Sequence, residues 1–498
     1  MHILMATSEA VPFAKTGGLA DVCGALPVEL RRLGHDVTLI MPAYRQVYAA
    51  GQRLTPTDVR FSIPIGNKLV EGSLLEGSLP GSDVRVYFVV QDEYFNRNEL
   101  YREDGADYID NCERYVFFCR AVMDAIRLLE LKVDVLHTND WQTGLIPAYL
   151  KTEYAAVPGY EQIASLLTIH NLAYQGQFWH WDMLLTGIDW KHFNWHQMEF
   201  YGNLNLMKTG LVFADAINTV SPQYAKEIQS EPLGCGLEGV LQYRRDVLSG
   251  VINGVDYRVW DPSVDERIAA RYTVATVTEG KPACKAALQQ ELRLPAAAGV
   301  PLIGFIGRLA DQKGLDLIVG MINQWPESRV VQFAFLGTGD AKYQATLSRL
   351  AAEHPDRIAA RLEFSDTLAH RMEAGLDMFL MPSRYEPCGL NQLYSLRYGT
   401  APIVHATGGL LDTITNVTDQ TLADGTATGF QIFDYTTHAL VDATERAVAL
   451  YHDSPRWQAL MESGMRQDWS WARSARQYTS LYEQITARHR QRAIGTKS

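Results

Sequence analysis

What most constrains this chain is the recurrence of short Val/Ile/Leu-rich runs separated by stretches of helical periodicity. Parallel strands need a crossover that packs back on the sheet, so this alternation specifies parallel sheets covered by helices on both faces. The runs fall at residues 2–7, 36–41, 84–90, 133–137, 164–169 and 216–220, and again at 301–306, 330–336, 358–363, 378–381 and 401–404. Each has the length and composition of a strand buried on both faces. Between the two sets lies Ser249-Gly-Val-Ile-Asn-Gly-Val-Asp-Tyr-Arg-Val-Trp-Asp-Pro262, with Gly, Asn and Pro at turn positions. The expected fold is α/β: two doubly wound, Rossmann-like domains, 1–248 and 249–468, facing across a deep cleft with ligands at the carboxyl ends of their strands. A length of 498 residues exceeds what one core serves, and 47% apolar residues supply material for two. From Trp469 the pattern is an amphipathic helix that runs into a basic tail.

Composition removes several function classes. With 45 Lys+Arg against 57 Asp+Glu the formal charge is −12, which argues against a nucleic-acid partner held through its phosphates. The first ten residues lack a basic, apolar and small-residue leader pattern and read as a strand. No window approaches the roughly 18 apolar residues of a membrane helix. The six cysteines, at 23, 112, 119, 235, 284 and 388, have no CxxC spacing, so neither a disulfide framework nor a zinc site is expected. A cytoplasmic location is the simplest expectation.

Four constellations stand where such a fold builds its sites. Lys15-Thr-Gly-Gly-Leu-Ala-Asp21 follows a strand and opens a helix. Its glycines let backbone approach a ligand, the helix start offers N–H groups to an anion, and Lys15 adds a point charge. An ordinary strand-to-helix turn is the competing reading. Phe305-Ile-Gly-Arg-Leu-Ala-Asp-Gln-Lys-Gly314 puts Arg308 and Lys313 beside one loop, where a guanidinium fork and an ammonium suit a diphosphate; surface cations near a helix start are the alternative. In Pro382-Ser-Arg-Tyr-Glu-Pro-Cys-Gly-Leu-Asn-Gln392, Pro387 and Gly389 shape a turn before a helix near Leu390. Glu386 there is either a site carboxylate or a helix cap, and Cys388 is either a reactive thiol or a small buried residue. Finally, His137-Thr-Asn-Asp-Trp141 and Thr168-Ile-His-Asn-Leu172 bring Asp140, His170 and Asn171 to strand ends, although a lone histidine is more often structural.

Taken together and in order, these motifs resemble the glycogen and bacterial starch synthase family of retaining GT-B glycosyltransferases. The resemblance spans nearly the whole chain and includes Asn253-Gly-Val-Asp256, Thr407-Gly-Gly-Leu410 and the tail that carries Trp471. It implies transfer of glucose from ADP-glucose, as donor substrate and without a further cofactor, to the non-reducing end of an α-1,4-glucan such as glycogen. By that likeness Lys15 and the amides near Gly18 meet the diphosphate, Arg308 and Lys313 grip it, and Gly389, Leu390 and Asn391 add main-chain N–H groups. Glu386 and Cys388 lie beside the donor glucose and His170 meets that sugar. Glu9, Tyr94, Asp140 and Asn171 line the sugar and acceptor side, Phe364 lies against the base and Asp21 reaches the ribose. The tail from 469 to 498 is expected to pack on the first domain. Two departures are visible: Asn139 stands where relatives often carry His, and Asn391 where some carry Thr.

The chemistry asks for stabilisation of a leaving diphosphate, which Arg308, Lys313 and helix amides suit without a bound metal. Rival readings are a transferase for another acceptor, a glucan-binding protein without activity, and an NAD-dependent oxidoreductase. The second would be expected to lose one of Lys15, Arg308, Lys313 or Glu386, and none is lost. Against the third, Gly337-Thr-Gly339 lacks the third glycine of the dinucleotide fingerprint.

Overall fold

The computed structural model describes residues 1–326 and 328–495. They form two compact units, Met1–Gly254 together with the helix Trp471–Gly495, and Val255–Ser470.

The first unit is built on a nine-stranded sheet. In spatial order its strands are Leu248–Gly250, Ala216–Thr219, Ala164–Ile169, Val135–Asn139, His2–Ala6, Asp36–Pro42, Arg85–Val90, Lys68–Ser78 and Thr55–Ile65. The strands from Leu248–Gly250 to Arg85–Val90 are parallel, and the last two form an antiparallel hairpin. Ile3, Leu4, Met5 and Ala6 are fully buried, as a central strand covered on both faces must be. After His2–Ala6 the chain builds outward on one side, then returns to add Val135–Asn139 on the other. The order therefore reverses beside the central strand, at its carboxyl end and that of Val135–Asn139. The closing helix Trp471–Gly495 packs on the helix Gly18–Arg32 and on the strand Ala164–Ile169. Tyr478 and Tyr482 are fully buried there, Tyr478 accepting from Asn218 Nδ2 at 3.0 Å and Tyr482 paired with His137 Nδ1 at 2.8 Å.

The second unit carries six parallel strands in the order Ile358–Arg361, Gln332–Leu336, Leu302–Ile306, Met378–Met381, Ala401–His405 and Phe430–Ile432. In chain order this is 3-2-1-4-5-6, so the switch point lies between Leu302–Ile306 and Met378–Met381.

Several boundaries differ from the sequence expectation. The runs at 133 and 330 become strands only from Val135 and Gln332, and that at 358 ends at Arg361. The hairpin Thr55–Ile65/Lys68–Ser78 was not anticipated, nor were Leu248–Gly250 and Phe430–Ile432. Because Leu248–Gly250 pairs with Ala216–Thr219, the first sheet extends into the turn-rich segment and the units part between Gly254 and Val255. Among the described residues no helix is long and apolar enough to cross a membrane.

Candidate active site

In the first unit, the loop after the central strand wraps around one carboxylate. Glu9, buried, accepts from Thr16 N at 2.5 Å, Thr16 Oγ1 at 2.6 Å, Gly17 N at 3.3 Å and Tyr101 Oη at 2.6 Å. These bonds hold the backbone just ahead of the helix Gly18–Arg32, whose cap residue Gly17 has no side chain to satisfy the first-turn amides. Lys15 stands at the same corner, its Nζ 2.7 Å from Asp21 Oδ1.

Across the switch point, Asp140 adopts φ 55° and ψ −175°, a region that side-chain-bearing residues rarely enter and that clusters at functional sites. Its carboxylate accepts the His170 amide at 2.7 Å, and burial pushes its pKa up to about 7. His170 is buried and pushed down to about 3, so its ring is neutral at working pH. Asn139 sets the tautomer. Its Nδ2 donates to Ala6 O at 3.1 Å, which turns Oδ1 toward His170 Nε2 at 2.9 Å, so Nε2 carries the hydrogen and Nδ1 remains an acceptor. Asn171 lies beside it, half-buried, with Oδ1 accepting from Ala173 N at 3.0 Å. Tyr94 stands apart from these groups: its hydroxyl donates to Glu113, and its ring packs edge-on to Phe117.

In the second unit, both sides of the switch point meet through side chains. Lys313 Nζ lies 2.6 Å from Glu386 Oε2, which also accepts from Ser383 Oγ at 3.0 Å. Glu386 is buried, and the following helix, Asn391–Arg397, begins at the cap residue Leu390, which makes no side-chain cap bond. Arg308, exposed, donates from Nη2 to Gln312 Oε1 at 2.8 Å. Asn391 Nδ2 donates to Ile306 O at 2.8 Å, tying the helix start to the end of the central strand. Two glycines permit this closeness. Gly314, at φ 75°, would place a Cβ 2.1 Å from Pro382 O, and Gly408, at φ 45°, would place one 2.0 Å from Glu386 O. Any side chain at either would push apart the loops that carry Lys313 and Glu386. Cys388 is buried, its carbonyl accepting from Gln392 Nε2 at 3.0 Å, and Gly389 takes φ 75° in the turn between. Phe364 exposes most of its ring.

The structure thus joins Lys15 with Asp21, Asp140 with His170, and Lys313 with Glu386, while Arg308 reaches this group only through Gln312, whose Nε2 donates to Tyr385 O at 3.3 Å. Tyr101, Ser383 and Gln312 were not singled out from sequence. Ser383 could have been, since it lies inside the 382–392 motif; Tyr101 carries no local signal, because its partner is 92 residues away. Among the described residues no group of three or more His, Cys, Asp or Glu side chains is arranged to hold a metal ion.

Residues 2–243 match the family model for the starch synthase catalytic domain, and residues 291–457 that for group 1 glycosyl transferases. A glycogen synthase of Rhodopirellula baltica is 46% identical over 507 aligned positions, covering 100% of both chains. One from Syntrophotalea carbinolica is 45% identical over 98% of this chain and 100% of its own. Among solved structures, the catalytic domain of starch synthase IV from Arabidopsis thaliana, bound to ADP and acarbose, superposes with a TM-score of 0.88 at 30% identity, covering 98% of this chain and 99% of that one. A sucrose-phosphate synthase from Thermosynechococcus elongatus shares the fold at 18% identity and a TM-score of 0.59, over 98% of this chain and 99% of that one.

Proposed function

The chain belongs to the glycogen and starch synthase family of glucosyltransferases, and from that premise we propose that it moves glucose from ADP-glucose to the non-reducing end of an α-1,4-glucan with retention of the α configuration. The observation that carries the reading is the Lys313–Glu386–Ser383 group at the switch point, with Arg308 beside it. As the glycosidic bond of the donor breaks, negative charge grows on the departing diphosphate, and the Arg308 fork and the Lys313 ammonium are cations already in place to meet it. Lys15 and the uncapped amides at Gly18 are diphosphate ligands by the same reading, and Gly389, Leu390 and Asn391 supply further main-chain donors. Glu386 supplies negative charge beside the sugar where positive charge develops at the anomeric carbon, with the Lys313 ammonium as its partner. His170, neutral, offers Nδ1 to a sugar hydroxyl rather than a positive charge that would oppose the oxocarbenium-like centre. Same-face attack by the glucan hydroxyl then keeps the anomer. Phe364 is the platform for the base, Asp21 the ribose contact, and Glu9, Tyr94, Asp140, Asn171 and Cys388 the sugar and acceptor side.

No further cofactor is required in this scheme, since cationic side chains perform the charge neutralisation that a metal provides elsewhere. Six thiols, five of them buried, support a reducing compartment and hence a cytoplasmic place of work. The test is incubation with glycogen and labelled ADP-glucose or UDP-glucose in parallel, with and without EDTA. Label should enter an amylase-sensitive polymer from ADP-glucose and persist under chelation. No incorporation from either donor would overturn the activity, and loss on chelation restored by Mg²⁺ would overturn the metal-free scheme.

A further inference from the structure

Around the carboxyl ends of the second unit's strands, Lys313, Arg384 and Lys342 each pair with a carboxylate: Glu386 at 2.6 Å, Asp316 at 3.1 Å and Asp311 at 2.8 Å. Arg308, at the end of the central strand Leu302–Ile306, does not. Among the described residues no carboxylate lies within ion-pair distance of it, and its side chain makes one hydrogen bond, from Nη2 to Gln312 Oε1 at 2.8 Å. The two carboxylates that follow it in sequence are engaged elsewhere. Asp311 accepts from Lys342 Nζ at 2.8 Å and from the Tyr343 hydroxyl, and Asp316 accepts from Tyr435 Oη at 2.7 Å and from Arg384 Nη2 at 3.1 Å.

Gln312 is itself held in one orientation. Its main-chain carbonyl accepts from the Arg384 amide at 2.8 Å, and its side-chain Nε2 donates to Tyr385 O at 3.3 Å. A flipped amide would set NH2 against the guanidinium and oxygen against a carbonyl, so the two neighbours together fix Oε1 toward Arg308. The turn Asp311–Lys313 thus presents an acceptor to the guanidinium without bringing a negative charge to it.

That distinction matters for an anion-binding cation. A carboxylate at this place would hold Arg308 as firmly, but it would cancel the charge and repel an arriving diphosphate, whereas an amide offers only the negative end of a dipole. We propose that Gln312 is a positioning residue for Arg308, aiming the guanidinium at the departing diphosphate while leaving its charge whole. The proposal rests on the activity reading for its ligand. An arginine held in place before the donor arrives loses less side-chain freedom when it binds. Its contribution also grows along the reaction, because negative charge builds on the diphosphate as the glycosidic bond breaks, and a guanidinium already neutralised would answer that growth poorly. Lys313 has its own carboxylate in Glu386, so Arg308 is the member of the pair whose charge is uncommitted.

The test ranks two substitutions in the full chain. Gln312→Glu keeps the size of the side chain and its acceptor toward Arg308 but adds a negative charge; Gln312→Met keeps the length, removes both side-chain bonds and leaves Arg308 fully charged. Gln312→Glu should be the more harmful, lowering kcat about tenfold and weakening ADP binding, read by calorimetry, about fivefold, against about threefold or less in each for Gln312→Met. A residue that merely tied the loops together would give the opposite order, since Glu retains the bond to Arg308 and Met retains neither bond. That order, or unchanged kcat and ADP affinity in a Gln312→Glu variant with a normal melting curve, would overturn the proposal. Should Gln312→Glu fail to fold, Arg308→Met and Arg308→Met/Gln312→Met decide the matter: with the guanidinium gone, the second substitution should leave ADP affinity unchanged, and a loss as large as Gln312→Met causes alone would overturn the proposal. Wild type that transfers no glucose, with ADP affinities in the expected order, would leave the role of Gln312 standing and sink the activity reading; active wild type with the opposite order would do the reverse.

Discussion

Lys15–Asp21 and Lys313–Glu386 are nearly the same ion pair by length, 2.7 Å and 2.6 Å, each set beside the switch point of its own sheet. They differ in what surrounds them. Lys15 keeps about half its surface in water, so its pair is screened and easily parted by an arriving anion. Glu386 is buried, bonded also to Ser383, and its loop is closed over by Gly408. Removing its ammonium would strand a desolvated charge. The same chemistry therefore serves as a loose, exchangeable contact in one unit and as fixed architecture in the other.

The sharpest way to break this contrast is Glu386→Gln. If the carboxylate acts on developing positive charge, kcat per folded molecule should fall by roughly 10² to 10³, with the donor KM nearly unchanged, read from initial rates beside a melting curve. Next comes Lys313→Met. Uncompensated Glu386 should lower stability by about 1–2 kcal/mol in urea unfolding, less than a fully enclosed pair because Lys313 retains about a quarter of its surface in water, and activity should drop with it. Asp21→Asn should shift the same midpoint by no more than about 0.5 kcal/mol, and less at 1 M NaCl. A stability loss equal to that of Lys313→Met would erase the distinction.

Acid gives the mildest contrast, acting on the buried imidazoles of the first unit. His137 and His170 titrate at 6.5 when unfolded but are held to about 3 by burial, so unfolding takes up protons below pH 6.5 and stability falls progressively toward pH 3. Asp140, raised from 3.8 to about 7, acts in the opposite sense over that interval and offsets part of the loss. The melting temperature should therefore decline modestly from pH 6.5 to 4.5, and His137→Gln should flatten the slope even while lowering the starting value.

Much of this was legible in the sequence because apolar runs report directly on strands buried on both faces. The hairpin Thr55–Ile65/Lys68–Ser78 escaped for the same reason: it is solvated on one side, and its buried residues, Phe61, Ile63 and Ile65, alternate with exposed ones instead of forming a run. The site divides similarly. Glycine-marked corners after strands located Lys15, Arg308, Lys313 and Glu386. The partners that orient them were not readable, since Lys313 and Glu386 lie 73 residues apart and Asn139 meets His170 across 31, distances closed only by neighbouring strands. Asn139 was visible as a departure from relatives, yet its orienting bond to His170 follows from the amide it gives Ala6.

The return of the chain to its starting unit sets an order of assembly. His137 and Asn218 lie in the middle of the first sheet, but their hydroxyl partners on Tyr482 and Tyr478 belong to a helix made more than two hundred residues after Gly254. At a synthesis rate of about 5–20 residues per second, the first half waits roughly ten to forty seconds on the ribosome without these tyrosine hydroxyls and with the flank of helix Gly18–Arg32 uncovered. The second unit has its whole core by Ser470 and can close before its elder. The half that emerges first is therefore the half that finishes last, and a nascent chain cut short in its final helix would carry a complete second unit beside an unsealed first one.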